Sequence, residues 1–400
     1  MFEQLDRLPD DPILGLMAAF RADPHPEKVD LGVGVYRDAR GETPVLASVR
    51  QAEQAILERQ STKTYVAPAG NAAFNAAMER LVFGADHPVL AAGRVRTIQG
   101  TGGCGALRLG SELVRRASPQ AIVYVSIPTW ANHVPLLTGS GLKLERYPYY
   151  DPATGGVDFA AMTAALARLP AGTVVLLHAS CHNPTGADLS VAQWRELLGL
   201  VKAQRLMPFI DMAYQGLGAG LDADAFPIRL FAGELPELLV AVSCSKNFGL
   251  YRERVGALHV VTAEPPVAEA ALSQEVRIAR SLYSMPPDHG AAIVAEILAN
   301  EALRASWAAE LAGMRERLNG LRRELVAKLS VSCPARDFSF IARQQGMFSF
   351  LGLSVEQVRQ LKTAHHVYMT EDSRMNVAGL RRENLDYFAR AVGSVVAAGG

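Results

Sequence analysis

Between about residues 94 and 262 the chain repeats one pattern, a short unbroken apolar run followed by a longer amphipathic stretch. The runs are Val95 to Gln99, Ala121 to Ile127, Val174 to Ala179, Met207 to Met212, Leu238 to Ser243 and Ala257 to Thr262. A strand with one wet face alternates apolar and polar residues, so continuous runs separated by helix-length segments require strands covered on both faces. The pattern predicts an α/β fold: a mostly parallel central sheet with helices on both faces. In such a sheet, ligands bind beyond the carboxyl ends of the strands. Five polar or glycine-rich clusters follow those ends: Gly100 to Gly105, Pro128 to Trp130, Ser180 to Gly186, Asp211 to Tyr214, and the turn around Lys246.

Beyond this region, Leu303, Trp307, Leu311, Met314, Leu318, Leu321 and Leu325 recur at helical spacing within Glu301 to Leu329, which predicts one long helix. Apolar segments at Phe338 to Ile341 and Met347 to Leu351, a helix near Val355 to His366 and a last helix from about Arg382 predict a smaller α+β domain, joined by the N-terminal segment. The expected division is 1–44 for an arm and part of the small domain, 45–308 for the large domain, and 309–400 for the connecting helix and small domain. At 400 residues and 49% hydrophobic, the chain has ample material for such a core. Forty basic and forty acidic residues leave no global field for nucleic acid or an anionic membrane, so small molecules are the expected partners. Cys104, Cys181, Cys244 and Cys333 are too scattered for a disulfide scaffold or a zinc site and fit a reducing cytoplasm. Neither a leader nor a membrane-spanning run is expected.

Lys246 follows the apolar run Leu238 to Val242 within Ser243-Cys244-Ser245-Lys246-Asn247-Phe248-Gly249, with Arg254 eight residues on. A lysine capping a strand end is the plain reading. Hydroxyls and a guanidinium, however, make a phosphate seat. An amine beside a phosphate seat is what an enzyme needs to hold pyridoxal 5'-phosphate as a Schiff base.

Gly100-Thr101-Gly102-Gly103-Cys104-Gly105 matches GxGxxG between a strand and a helix. A dinucleotide site would end the next strand with an acid for the ribose, but that strand closes on Ile127-Pro128-Thr129-Trp130. The turn suits a single phosphate instead. Asp211 ends a buried run, where a carboxylate needs a cationic or hydrogen-bonding partner; a protonated pyridine nitrogen would serve, and a helix N-cap is the alternative. Tyr214 and Asn183 can reach a ring phenolate oxygen, and Trp130 can stack on a flat ring; core packing and a simple Asn-Pro turn are their alternatives. Arg374 and Arg280 stand beside small or apolar residues and suit substrate carboxylates, against the alternative of unpaired surface arginines. His133, His178 and His182 lack metal-ligand spacing and suit supporting roles, and no hydrolase motif surrounds Ser243 or Ser245.

Taken with Asp11-Pro12-Ile13-Leu14-Gly15-Leu16, Leu31-Gly32-Val33-Gly34-Val35-Tyr36, Tyr283-Ser284-Met285-Pro286-Pro287, Gly346-Met347-Phe348-Ser349 and Arg374-Met375-Asn376-Val377-Ala378-Gly379, these motifs resemble the class I aminotransferases of fold type I, in their aspartate and aromatic amino acid branch. The resemblance covers nearly the whole chain. It implies a pyridoxal phosphate enzyme in which Lys246 carries the cofactor and shuttles the substrate proton. Asp211 would pair with the pyridinium, Tyr214 and Asn183 with the phenolate oxygen, and Trp130 would stack on the ring. Gly102, Gly103, Cys104, Ser243, Ser245 and Arg254 would line the phosphate pocket, with Tyr65 entering from a second subunit. Arg374, close to Gly34, would hold the α-carboxylate, and Arg280 of the neighbouring subunit would meet a side-chain carboxylate, which implies a homodimer with shared active sites.

Two positions depart from the aspartate-specific pattern. Cys104 stands where a hydroxyl residue is usual, and Met285 where a polar residue is usual. The soft surface of Met285 favours an aromatic side chain beside a carboxylate. The expected reaction is therefore ping-pong transfer of an amino group from tyrosine, phenylalanine or aspartate to 2-oxoglutarate. The alternatives are a strict aspartate aminotransferase, a lyase or decarboxylase on the same cofactor, and an aminotransferase-like regulator domain, which would carry a basic DNA-binding segment not seen here.

Overall fold

The computed structural model describes residues 1–7 and 12–398, so Asp11, which opens the first motif above, lies outside the described residues. The chain divides into two compact units: Pro44–Arg317 with Gln344–Gly346, and Met1–Thr43 with Leu318–Arg343 and Met347–Gly400.

The larger unit is built on a seven-stranded sheet ordered Val95–Thr101, Val255–Val261, Leu238–Ser243, Met207–Met212, Val174–His178, Ile122–Ile127 and Lys143–Pro148. Val255–Val261 runs antiparallel to both neighbours, and the other pairings are parallel. Six of the strands therefore end on one edge, as the alternating pattern requires. Every residue of Leu238–Ser243 and Val255–Val261 is buried, which means that both faces are covered. The Gly102–Ala117 helix packs on these two strands, and the Pro265–Leu282 helix packs on it and on Val95–Thr101. Ile98, Leu107, Leu109, Val123, Leu176, Phe209 and Leu258 meet in this core, each contributing about 1.5–3 kcal/mol by leaving water. Lys143–Pro148 is the one strand of this sheet not foreseen. It is an edge strand with Lys143, Glu145 and Arg146 exposed, so it carries no unbroken apolar run.

In the smaller unit, Val29–Asp30 pairs in parallel with Val367–Tyr368, and Phe348–Phe350 pairs antiparallel with Arg374–Asn376. The helix Val355–His365 starts with a Ser354/Gln357 capping box and packs on the last helix, Arg382–Ala398. Phe340–Arg343, within the apolar segment after the long helix, is itself a short helix. The long helix runs Glu301–Ser332, close to the sequence reading. Among the described residues, no helix is long and apolar enough to cross a membrane.

Candidate active site

At the carboxyl edge of the larger sheet, Ser243 ends its strand and the chain turns through Ser245, Lys246 and Asn247. Lys246 is half-buried, with its amine 5.2 Å from the centroid of the Tyr214 ring. Burial pushes this amine below its ordinary pKa; Asp211 and Cys104 pull it back up, and Arg254 works with burial. An amine eased toward its neutral form is a better nucleophile and proton acceptor.

On the neighbouring strand, Asp211 is buried at 7% exposure. Desolvation alone would raise its carboxyl pKa. His133 Nε2 lies 3.0 Å from Asp211 Oδ2, and this hydrogen bond, with the electrostatic pull of His133 and of the Lys246 amine, outweighs burial and holds the pKa below the ordinary value. Asp211 is thus kept as an anion. Behind it, rings line up in sequence. His133 meets His178 edge-on at 5.2 Å, His178 lies 4.2 Å from His182, and His182 stacks on Tyr149 at 4.2 Å. Burial takes His178 down to about 3, so it stays neutral and acts as a hydrogen-bonding spacer. Trp130 stands edge-on to His133 at 5.2 Å.

The glycine turn opens the sixteen-residue helix Gly102–Ala117, whose first N–H groups receive no side-chain cap from Thr101. Gly102 has φ +72°, and a Cβ there would come within 2.6 Å of Arg254 Nη2. A Cβ on Gly103 would lie 3.1 Å from that of Ser243. Arg254 Nη1 donates to the Tyr251 carbonyl at 3.0 Å and to Ser245 Oγ at 3.5 Å, and Ser245 N–H donates to Ser243 Oγ at 3.2 Å. Open helix N–H groups, a guanidinium and two hydroxyls therefore surround one point, which is the chemistry of a phosphate seat. Cys104 adds its thiol there and accepts from Asn132 Nδ2 at 3.6 Å. Beside it opens a cavity of about 570 Å³, lined in part by Thr101, Cys104, Arg108, Asn132 and Tyr283.

Asn183 is buried, and its Oδ1 has no hydrogen-bond partner. An amide end left orphaned beside an amine, an anionic carboxylate and a phosphate seat fits a ligand with a ring oxygen, a ring nitrogen and a phosphate. Pyridoxal phosphate has all three.

In the smaller unit, Arg374 Nη2 donates to the Gly32 carbonyl at 2.9 Å, and its guanidinium lies 4.7 Å from the centroid of the Phe348 ring. Gly34 faces the same ring, where an added Cβ would stand 3.1 Å from Phe348 Cζ. Asn376, two residues after Arg374, donates to the carbonyls of Val33 at 2.6 Å and Val35 at 2.7 Å, so one short strand shapes the Gly32–Val35 loop. Tyr65 and Arg280 are not brought into the Lys246 cluster. Tyr65 is 92% exposed, and Arg280 is exposed and donates to Ser284 Oγ.

Sequence reasoning gave His133 a supporting role without naming its partner, since 78 residues separate it from Asp211. Asn376 and Phe348 stand in the sequence only inside the longer motifs, with nothing to single them out. A polar residue inside a buried strand was the available signal for Asn376.

A sheet edge bearing a lysine, a buried carboxylate and a phosphate seat defines an enzyme that works with an aldehyde-bearing phosphorylated cofactor. The family model for aminotransferase class I and II matches residues 26–392. The chain belongs to that family. It is 48% identical over 396 residues to the aromatic-amino-acid aminotransferase of Pseudomonas aeruginosa, covering 99% of each chain, and 43% identical to the aspartate aminotransferase of the same organism, covering 99% of this chain and 100% of that one. Among solved structures, it superposes with a TM-score of 0.97 and 47% identity on the aromatic-amino-acid aminotransferase of Burkholderia pseudomallei, covalently bound to pyridoxal phosphate, covering 99% of each chain. The cytoplasmic aspartate aminotransferase of Saccharomyces cerevisiae superposes at 0.96 with 34% identity, covering 100% of this chain and 99% of that one.

Proposed function

We propose that the chain is a pyridoxal phosphate-dependent transaminase that moves the amino group of an aromatic amino acid, and of aspartate, to 2-oxoglutarate by a ping-pong route. The observation that carries this reading is the convergence of Lys246, the Asp211–His133 pair and the Gly102–Arg254 phosphate seat on one sheet edge. When bound, the cofactor supplies a conjugated ring that delocalises the electron pair left as the substrate Cα loses its proton.

This chain's residues divide the remaining work. Lys246 holds the cofactor and, once displaced by substrate, takes the proton from Cα and returns it. Asp211, kept anionic by His133, holds the proton on the pyridine nitrogen. Asn183 and Tyr214 hydrogen-bond the ring oxygen, and Trp130 covers the ring. Gly102, Gly103, Cys104, Ser243, Ser245 and Arg254 take the phosphate. Arg374, framed by Gly34 and Phe348, grips the substrate α-carboxylate.

The exposure of Tyr65 and Arg280 supports a homodimer in which each subunit lends both residues to its neighbour's site, Tyr65 to the phosphate and Arg280 to a side-chain carboxylate. The scattered free cysteines support a cytoplasmic setting. The names of the similar proteins include both aromatic and aspartate enzymes, and Met285 favours the aromatic side. Purified protein mixed separately with aspartate, tyrosine and phenylalanine, and followed by the cofactor spectrum, tests the substrate: comparable half-reaction rates for aromatic donors and aspartate are expected, and a strong preference for aspartate overturns the aromatic assignment.

A further inference from the structure

Gln99, on the first strand of the large sheet, is fully buried and holds two loops at once. Its Oε1 accepts from the Asn71 backbone N–H at 2.9 Å, and its Nε2 donates to the Pro287 carbonyl at 2.7 Å. Chemistry fixes this orientation, because a backbone N–H needs the oxygen and a proline carbonyl needs the nitrogen. The Gln99 N–H also donates to Ala69 O at 3.0 Å. A second joint links the same loops, with Asn71 Nδ2 donating to Asp288 Oδ1 at 2.8 Å. Gly70 turns at φ +87°, and a Cβ on it would fall 2.3 Å from Gln99 Cβ, so the turn lies directly on this side chain and only glycine fits.

The loop on one side carries Tyr65, five residues before Gly70, and the loop on the other follows the Pro265–Leu282 helix, whose last turn carries Arg280, seven residues before Pro287. Both side chains project from the surface with no contact to the Lys246 cluster of their own chain. A flexible side chain that must reach a neighbour's site with useful geometry needs a rigid base. We propose that Gln99 is a positioning residue that sets, from inside one subunit, the poses of both Tyr65 and Arg280 as that subunit offers them to its partner. This rests on the roles given to Tyr65 and Arg280 above. Recognition of a substrate side-chain carboxylate then depends on Gln99 through Pro287, and retention of the cofactor phosphate depends on it through Asn71. The two arms separate chemically. Gln99→Glu keeps an oxygen for the Asn71 N–H but sets a carboxylate against the Pro287 carbonyl, whereas Gln99→Met loses both bonds.

The test uses full-length holoenzyme carrying Gln99→Glu, Gln99→Met, Asp288→Ala or Arg280→Ala. It reads kcat and KM for aspartate and phenylalanine, and the cofactor dissociation constant from absorbance. Gln99→Glu is expected to raise KM for aspartate about tenfold, the worth of one buried hydrogen bond, with phenylalanine KM and cofactor affinity within about twofold of the parent. Gln99→Met raises both aspartate KM and the cofactor dissociation constant. Asp288→Ala, which spares the core, raises aspartate KM about threefold even if the Gln99 variants fold poorly. Equal losses on aspartate and phenylalanine, or an unchanged aspartate KM in Gln99→Glu and Asp288→Ala while Arg280→Ala raises it, overturns the proposal. An unchanged aspartate KM in Arg280→Ala overturns instead the role of Arg280 on which the proposal rests.

Discussion

Asp211 and His133 meet inside the protein, with Nε2 of the histidine 3.0 Å from Oδ2 of the carboxylate and both side chains almost sealed from solvent. A buried carboxylate without such a partner would neutralise. The pair therefore fixes the charge at the point where a pyridine nitrogen needs an anion.

Removing His133 should release that hold. Asp211 titrates below its ordinary value in the folded protein, so its contribution is present above the unfolded pKa near 4 and fades as pH falls through the folded value. In His133→Asn the carboxyl pKa rises, and the acid limb of the kcat profile should move to higher pH. Rates measured between about pH 3 and 7 check this; an unmoved limb contradicts the role of the pair.

Arg254 is the one full positive charge of the phosphate seat contacting both Gly102 and Ser245. Losing a charge-assisted hydrogen bond costs about 1.5–3 kcal/mol, so Arg254→Leu should weaken cofactor binding roughly ten- to hundredfold. Because Arg254 also depresses the Lys246 amine, the variant's amine pKa should rise. Equilibrium titration with the cofactor, followed by absorbance, measures the first effect.

Glu275 on the Pro265–Leu282 helix is fully buried, and neither of its carboxyl oxygens has a hydrogen-bond partner. Burial, reinforced by Glu112 and only partly relieved by Arg116, raises its pKa well above the ordinary value. A raised carboxyl contributes its stability below the unfolded pKa of about 4.3 and loses it as pH rises toward the folded value. Glu275→Met should therefore stabilise the protein by about 1–3 kcal/mol at pH 8 and by less at pH 5. Thermal melts at the two pH values test this, and equal effects at both refute it.

Much of this architecture could be read from the chain because burial on both faces leaves unbroken apolar runs, and Leu238 to Ser243 announces both its strand and the turn that follows it. Lys246, Asp211 and the glycine turn were legible for the same reason, as polar residues at abrupt ends of apolar runs. Lys143–Pro148 was hidden because an edge strand tolerates charge. Val29–Asp30 was hidden because two residues make no pattern, and their pairing with Val367–Tyr368 closes across almost the whole chain. The His133–Asp211 contact has no local signal, since it depends on how two loops meet after the sheet has formed. The Gln99 clamp was unreadable for the same reason: a glutamine in an apolar run shows that a partner exists, but not which loops supply it.

Lys246 carries the chemistry assigned to the site. Purified Lys246→Ala protein, given pyridoxal phosphate and scanned by absorbance beside a turnover assay, should lack the band of lysine-linked cofactor and lose at least about 10²–10⁴-fold in kcat, the usual contribution of a positioned proton-transfer group. An unchanged band with full turnover would contradict the assignment of Lys246.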